Sequence, residues 1–208
     1  MSISIVTWNT QGSPLNNNDK HATLIAMCRT FDVVLLQECG SLAEEDHFAD
    51  KHVFGREQAG AFNNRCSTAI IAPGWNESGE WTGSSSGRPG IWIQVDDLFI
   101  GTIHCTSGGV GMTDLSPFMR YMVSGAGEHA LVIGGDFNCV MADGTTSINV
   151  GSSLRPIDFS FHTQGRSTHM GGMTLDNFVS RGLSGFGNAR RYRTGVSDHD
   201  AVSIEVNA

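Results

Sequence analysis

A short apolar run followed by closely spaced polar residues is the feature that most constrains the fold of this chain. Residues Ala130–Ile133 are all apolar and are closed by a glycine pair, a pattern typical of a short buried strand. Asp136 and Asn138 follow at once, and because strand side chains alternate, both point the same way if the chain stays extended. A glycine pair before an aspartate is equally typical of an ordinary turn, so the rest of the chain must decide between the two.

Further apolar runs predict a sheet-rich fold. Ile3–Trp8 and Val33–Leu36 are predicted strands on either side of a helix over Asn16–Phe31, an order that places both strands in one sheet. The turn residues Asp96-Asp97 predict a hairpin over Ile91–His104. The remaining predicted elements are strands at Ser67–Ala72, Thr174–Val179 and Ala201–Val206, a short acidic helix at Leu42–Asp50, and a helix that begins at Ser116 with Pro117 in its first turn. Two stretches, Pro73–Gly90 and Ala142–Gly172, are turn-rich or polar and show poor periodicity.

Length and composition bound the class of protein. The 208 residues are expected to form a single domain, 1–208, with a substantial core. A net charge of −8 argues against a broad basic face for nucleic acid, although a bound cation can still recruit a phosphate-bearing substrate. The five cysteines form no Cys-x-x-Cys pair and are interpreted as small buried residues. No signal peptide and no apolar run of transmembrane length is seen, so we expect a cytoplasmic protein or a delivered toxin domain that lacks its leader.

Polar residues stand where nearly every predicted strand begins or ends. Each alone is typical of a solvated strand end, but carboxylates that gather at one sheet edge repel each other and need a cation or a functional reason. Carboxylate and amide oxygens suit a hard ion such as Mg²⁺, whereas a zinc site would need more closely spaced His or Cys residues. The residues concerned are Asn9, Glu38, His104, Asp136, Asn138, Asp176, Asp198 and His199.

These residues stand in short motifs whose order resembles that of a known family. The motifs are Trp8-Asn9, Gln37-Glu38, Thr102-Ile103-His104, Gly135-Asp136-Phe137-Asn138, Leu175-Asp176 and Ser197-Asp198-His199. Together they resemble the DNase I-like endonuclease/exonuclease/phosphatase superfamily over Ile3–Val206. Four further stretches resemble the catalytic subunits of cytolethal distending toxins: Trp8–Ser13, Gln37–Leu42, Arg88–Ile91 and Ile103–Gly109.

The resemblance implies an α+β fold, a four-layer α/β/β/α sandwich of two mixed β-sheets, and divalent-metal-dependent cleavage of phosphate esters. It implies Mg²⁺, with Mn²⁺ or Ca²⁺ as alternatives, held by Glu38 with Asn9 and Asp198. It further implies that Asp136 and Asn138 orient the attacking water and the phosphate. His199 would be a general acid/base oriented by Asp176, with His104 as the second catalytic histidine. Two arginines would contact substrate phosphate, Arg65 and Arg88.

A basic run lies just before the Ser197-Asp198-His199 motif. Arg190, Arg191 and Arg193, with an interleaved tyrosine, suit contact with a polyphosphate or nucleic-acid substrate, but a solvated loop is an equal alternative. His162 and His169 flank Arg166 in the long polar segment and are assigned to a loop near the substrate.

The resemblance leaves the substrate open. The first hypothesis is a metal-dependent phosphodiesterase, most specifically a toxin-type DNA endonuclease. The second keeps the same site but acts as a phosphatase on phosphoinositides or another phosphate monoester. A remote third is a non-catalytic binding domain, although all six catalytic positions are retained. The chain is short for the family and acidic, so DNA-engaging loops are expected to be trimmed. The resemblance to toxin subunits implies a delivery or regulatory partner. The oligomeric state is open.

Overall fold

The computed structural model describes residues 2–42, 47–58, 67–84, 86–141, 144–148 and 157–207, which form mainly strands. The helices are α1 (Asn18–Thr30) and α2 (Met112–Ala126), with a 3₁₀ turn at Pro14–Asn16. In chain order the strands are β1 (Ser2–Asn9), β2 (Val33–Gln37), β3 (His47–Phe48), β4 (Lys51–Arg56), β5 (Thr68–Ala72), β6 (Glu77–Trp81), β7 (Gly90–Val95), β8 (Leu98–His104), β9 (Ala130–Asp136), β10 (Gly144–Ile148), β11 (Ile157–His162), β12 (Asp176–Arg181), β13 (Gly185–Phe186), β14 (Arg190–Tyr192) and β15 (Ala201–Asn207).

The strands form two mixed sheets. The first has the order β13-β15-β1-β2-β5-β4-β3, with β14 also paired to β15. Its β1 and β2 run parallel, as the strand–helix–strand order predicts, and its other neighbours are antiparallel. The second has the order β10-β11-β12-β9-β8-β7-β6, in which β8 and β9 are the parallel pair. The predicted 91–104 hairpin is confirmed as β7 and β8.

Three apolar clusters divide the molecule into four layers. Strand β2 shows why: Val33 and Leu35 pack in the cluster shared by both sheets, whereas Val34 and Leu36 face α1. All four side chains are buried, as expected for a strand covered on both faces. The second sheet packs its outer face against α2 in the same way, through residues such as Phe118. The predicted four-layer α/β/β/α sandwich is thereby confirmed.

The predicted helix over Leu42–Asp50 is wrong in its described part. His47–Phe48 is strand β3, which pairs with β4 through a two-residue turn at Ala49 and Asp50. Both turn residues have positive φ, 52° and 63°, the backbone geometry of the tightest hairpins. Phe48 is buried in the core beside α1, and this tertiary contact outweighs the local helical pattern. Residues 43–46 lie outside the described part.

Two other predictions need correction. Helix α2 begins at Met112 rather than Ser116, so Pro117 lies inside it, and buried Asp114 anchors the first turn by accepting hydrogen bonds from the N–H and hydroxyl of Thr106. The turn-rich stretch 73–90 contains β6, and the long polar segment contains β10 and β11. Strands β6 and β10 lie at the two edges of the second sheet and contain few apolar residues, so neither shows a strand pattern.

Neither helix of the described residues is long and apolar enough to cross a membrane. Three cysteines are buried and a fourth is half-buried, all as free thiols: Cys28, Cys39, Cys105 and Cys139.

Candidate active site

The strand register of the second sheet lines up three of the predicted site residues. Parallel pairing of β8 with β9 sets His104 opposite Asp136, and antiparallel pairing of β9 with β12 sets Asp136 opposite Asp176. All three side chains are almost fully buried. Gly135 allows this register, because a Cβ there would lie 2.1 Å from the carbonyl oxygen of Ile103.

The first sheet contributes the neighbouring carboxylate and amide. Asn9 ends β1, and its Nδ2 donates to Asp136 Oδ2 at 3.0 Å and to Glu38 Oε1 at 3.4 Å, so it joins the two sheets. Glu38 follows β2 with a φ of 52°, a rarely populated conformation for this residue type. Its Oε1 lies 3.8 Å from His104 Nε2. Gln37 fixes this approach by donating to Thr102 in the other sheet at 2.8 Å.

His199 is held by a carboxylate behind it. Its Nδ1 lies 2.8 Å from Asp176 Oδ2, and its Nε2 faces Asp136 Oδ2 at 3.8 Å. Burial disfavours the charged ring, but the hydrogen bond and charge of Asp176 and the other nearby carboxylates outweigh it. The net result raises the pKa of His199 to about 9, so the ring is protonated at neutral pH.

The pKa of His104 is shifted in the opposite direction. Burial lowers the pKa of His104 to about 4, despite the carboxylate of Asp136 with Oδ2 at 3.5 Å from its Nε2. Burial also raises the pKa of Asp136, and the facing charge of Asp176 adds to this effect. Asp136 therefore lies between a neutral and a protonated imidazole at neutral pH.

Asp198 belongs to a second group of contacts at the mouth of the site. Gln11 donates its Nε2 to Asp198 Oδ2 at 2.7 Å and its backbone N–H to Asn9 Oδ1 at 3.0 Å, so it links two predicted metal ligands. His169 Nε2 lies 3.4 Å from the same Asp198 oxygen. Its ring meets that of His199 edge to face at 4.7 Å, and the two residues form an isolated backbone bridge.

Asn138 and Arg88 converge on one backbone carbonyl. Asn138 Nδ2 donates to the carbonyl oxygen of Cys105 at 2.8 Å, and Arg88 Nη1 donates to the same oxygen at 2.6 Å. Asn138 adopts a φ of 48°, and its N–H donates to Asp136 Oδ1. Asn138 and Arg88, both predicted to contact the substrate phosphate, therefore lie beside the end of β8, where His104 is found. Arg65, the other arginine predicted to bind phosphate, lies outside the described residues.

The basic run reaches the site as predicted from its position in the chain. Arg191 and Arg193 line a cleft of about 450 Å³ together with His169 and Asp198. Arg191 also pairs with Asp200, its Nε lying 3.4 Å from Oδ2. Arg190 is exposed on β14 and lines an adjoining groove.

Two site residues were given no catalytic or metal-binding role from the sequence. His169 was predicted to lie in a loop near the substrate, and its bridge to His199 brings it against the site. Gln11 was left without a role, although it follows the predicted ligand Asn9 by two residues and that spacing was an available signal. His162 is not a loop residue either, since it ends β11 and is buried.

The donor set fits a hard divalent cation. Four carboxylates meet here, and the protonated ring of His199, which lies within 3.9 Å of three of them, offsets part of their charge at neutral pH. Oδ1 of Asp176 and Oδ1 of Asp198 are buried without a hydrogen-bond partner among the described residues. Two groups of three side chains could each hold a metal ion, because the ligand atoms within each group lie within 4.8 Å of one another. One group is His169, Asp198 and His199, and the other is Asp136, Asp176 and His199.

Solved structures place this fold among known proteins. Cytolethal distending toxin from Actinobacillus actinomycetemcomitans shares 17% identity, with 97% of each chain covered and a TM-score of 0.68. The Haemophilus ducreyi toxin shares 18%, covering 99% of this chain and 98% of that one, also at 0.68. D. rerio TDP2 complexed with a single-strand DNA product shares 15%, covering 100% and 99%, at 0.69. At such identities the likeness establishes the fold.

No curated protein sequence gives a significant match to this chain. The sequence profile described as the Endonuclease/Exonuclease/phosphatase family matches residues 6–199, a span that runs from before Asn9 to His199. The matched span is nearly the whole chain, and the two-sheet fold agrees with it. The chain therefore belongs to the Endonuclease/Exonuclease/phosphatase family.

Proposed function

We propose that the protein is a divalent-cation-dependent phosphodiesterase, most specifically an endonuclease that hydrolyses the DNA backbone. The observation that carries this proposal is the Asp176–His199–Asp136–His104 row, in which carboxylates and imidazoles alternate within 2.8 to 3.8 Å. Such a row provides a fixed proton carrier beside an acceptor, as ester hydrolysis requires. Family membership and the TDP2 structure with its DNA product support the nucleic-acid substrate.

His199 acts as the proton carrier of this scheme. Its raised pKa, about 9, means that it holds a proton at neutral pH that it can give to the leaving oxygen. Asp176 accepts a hydrogen bond from Nδ1–H of His199 at 2.8 Å and so fixes the ring with Nε2 facing Asp136. General acid–base help of this kind is worth roughly 10²–10⁴-fold in rate.

Asp136 and His104 contact the attacking water and the phosphate in this scheme. Asp136 receives a hydrogen bond from Asn9 on one oxygen and from the N–H of Asn138 on the other, which fixes its carboxylate. In that position it orients the attacking water. The neutral His104 ring, held beside Asp136, contacts a phosphoryl or leaving oxygen by hydrogen bonding, and Arg88 and Asn138 bind the phosphate from the same strand end.

Glu38, assisted by Asn9 and Asp198, would hold the divalent cation. When bound, Mg²⁺ or a similar hard ion supplies charge neutralisation on the phosphoryl oxygens. The protein keeps these ligands in place through Asn9, which contacts Glu38, and through Gln11, which bridges Asn9 and Asp198.

The substrate is tested by assaying two reactions side by side. Purified protein is incubated with supercoiled plasmid and Mg²⁺, with and without chelator, and in parallel with phosphoinositides while released phosphate is measured. We expect plasmid nicking that the chelator abolishes. Phosphate release without nicking would assign the site to the phosphatase alternative instead. His199→Ala and Asp136→Ala should each abolish nicking, while His129→Ala, at an exposed histidine near Asp97, should not.

A further inference from the structure

Three depressions join into one track that leads away from the catalytic residues. The first is the cleft that contains Asp198. The second, here called the arginine groove, has a volume of about 470 Å³ and shares Arg191 and Arg193 with the cleft. The third, here called the Phe186 pocket, has a volume of about 490 Å³ and shares Gln164 and Ala189 with the groove. Because each depression shares lining residues with the next, the three lie side by side on the surface.

The arginine groove concentrates positive charge in an acidic protein. Arg166, Arg190 and Arg193 are exposed and contact no carboxylate among the described residues, while Arg191 is paired with Asp200. The whole chain carries a net charge of −8, so these arginines interrupt a negative surface. A groove of this kind attracts a polyanion, and guanidinium groups match phosphate oxygens in geometry.

Phe186 offers an aromatic face at the far end of the track. Its side chain is 53% exposed, which is unusual for phenylalanine, and it lies on the short edge strand β13. The ring packs against buried His162 in an edge-to-face arrangement, with 4.2 Å between the ring centroids. His162 is in turn fixed by Ser180, whose Oγ lies 2.7 Å from Nε2. The phenyl ring is therefore held by His162 while about half of the residue stays exposed to solvent, where a base can stack on it.

We propose that this track binds a single-stranded nucleic acid, with its phosphates along the arginine groove and a base stacked on Phe186. The inference rests on the proposed function and names a substrate subsite beyond the catalytic residues. The chain from Phe186 to Arg193 spans at most about 25 Å, so a base on Phe186 lies within that distance of a phosphate at Arg193. Only an unpaired base presents its face to such a ring, which selects single strands.

The test separates the contribution of the bases from that of the backbone. Binding of a fluorescent single-stranded DNA of about 10 nucleotides is measured by anisotropy in the presence of chelator, which prevents cleavage. A second probe has the same deoxyribose-phosphate backbone without bases. Wild type should bind the base-bearing probe more tightly, and Phe186→Ala should weaken binding of that probe about 5- to 150-fold while leaving the baseless probe unchanged.

Matched variants keep this test interpretable. Phe186→Trp should retain the preference for bases and Phe186→Leu should lose it, with thermal unfolding confirming that each variant is folded. Arg166→Ala and Arg190→Ala should each lower the salt dependence of log K by about 0.7, whereas Arg120→Ala, on exposed α2 surface, should not. Equal wild-type binding of both probes, or a base preference that survives in Phe186→Ala, overturns the proposal. After either result, plasmid nicking by wild type decides whether the proposed function survives. Nicking leaves the function in place and removes only the Phe186 subsite, whereas its absence contradicts the function as well.

Discussion

Nδ1 of His199 lies 2.8 Å from Oδ2 of Asp176, and both side chains are buried at the meeting edge of the two sheets. The contact joins the last motif of the chain to the first residue of β12. It explains why a buried imidazole, which burial alone would keep neutral, is protonated at neutral pH.

Asp176→Asn should lower the pKa of His199 from about 9 towards its ordinary value, because it removes the hydrogen-bonded negative charge. NMR titration of the ring in chelated protein measures this directly. We also expect turnover to fall by roughly 10²-fold or more, since the proton carrier is no longer fixed. A His199 pKa that stays near 9 in the variant would contradict this account of the pair.

The same pKa makes the stability of the chelated protein depend on pH. The folded-state pKa of His199 is raised above its unfolded value, so its stabilising contribution is complete below about pH 6.5 and is lost as pH rises through 9. Between these limits wild type should lose about 2 to 3 kcal/mol of unfolding free energy relative to His199→Gln. Chemical denaturation across this range measures the difference, and parallel curves for the two proteins would refute it.

His104 should behave in the opposite sense. Its folded-state pKa of about 4 lies below the unfolded value, so the unfolded chain takes up the proton first as pH falls. Wild type should therefore lose stability between about pH 6.5 and pH 4 by up to about 3 kcal/mol more than His104→Gln does. Denaturation curves of both proteins over this acidic range provide the check, with no extra wild-type loss as the contrary result.

Gly135→Ala should disrupt the row of site residues. Its Cβ would lie 2.1 Å from the carbonyl oxygen of Ile103, so β8 and β9 must separate where they align His104 with Asp136. We expect a loss of about 1 to 3 kcal/mol or more, together with reduced activity. Gly125→Ala is the control, since beyond the neighbouring helix backbone no heavy atom of the described residues lies within 4 Å of the added methyl, and alanine favours the α2 helix. Equal stability of the two variants would argue against the register constraint.

His169 should act as a positioning residue for Asp198. The N–H of Gly171 donates to His169 Nδ1, so Nε2 is the ring nitrogen that carries a proton, and it lies 3.4 Å from Asp198 Oδ2. His169→Ala should therefore raise the cation concentration needed for half-maximal activity about 10- to 100-fold. His169→Gln, which keeps a donor, should recover part of this loss. An unchanged cation titration in His169→Ala would remove the residue from the site.

The sequence predicted the parts of the site that local motifs define. Asp136 and Asn138 close a buried strand, and Asp198 and His199 precede the last one, so strand ends could be inferred from apolar runs alone. Their convergence could not be inferred from strand ends alone, because Asp136 ends a strand of the second sheet whereas His199 precedes a strand of the first. The family resemblance then supplied the roles, and the fold agrees with the layers that it implied.

The residues that were missed depend on tertiary contacts. His169 reaches the site through a backbone bridge to His199, a residue far along the chain, and nothing in its local sequence indicates that bridge. Strand β11 did carry a signal, because Phe159 and Phe161 alternate with polar residues, but the polar segment around it obscured the pattern. At Phe48 the local pattern predicted a helix, but the structure has a strand that buries the Phe48 side chain in the core.

The most direct test of the central claim is cation-dependent nicking of supercoiled plasmid by wild type and Glu38→Gln. Glu38 is the main proposed ligand, and its substitution keeps the shape of the side chain while removing the charge. We predict that wild type nicks the plasmid with Mg²⁺ and stops on chelation, and that Glu38→Gln loses activity about 100-fold or more at the same Mg²⁺ concentration. Nicking that resists chelation and persists undiminished in Glu38→Gln would contradict the account.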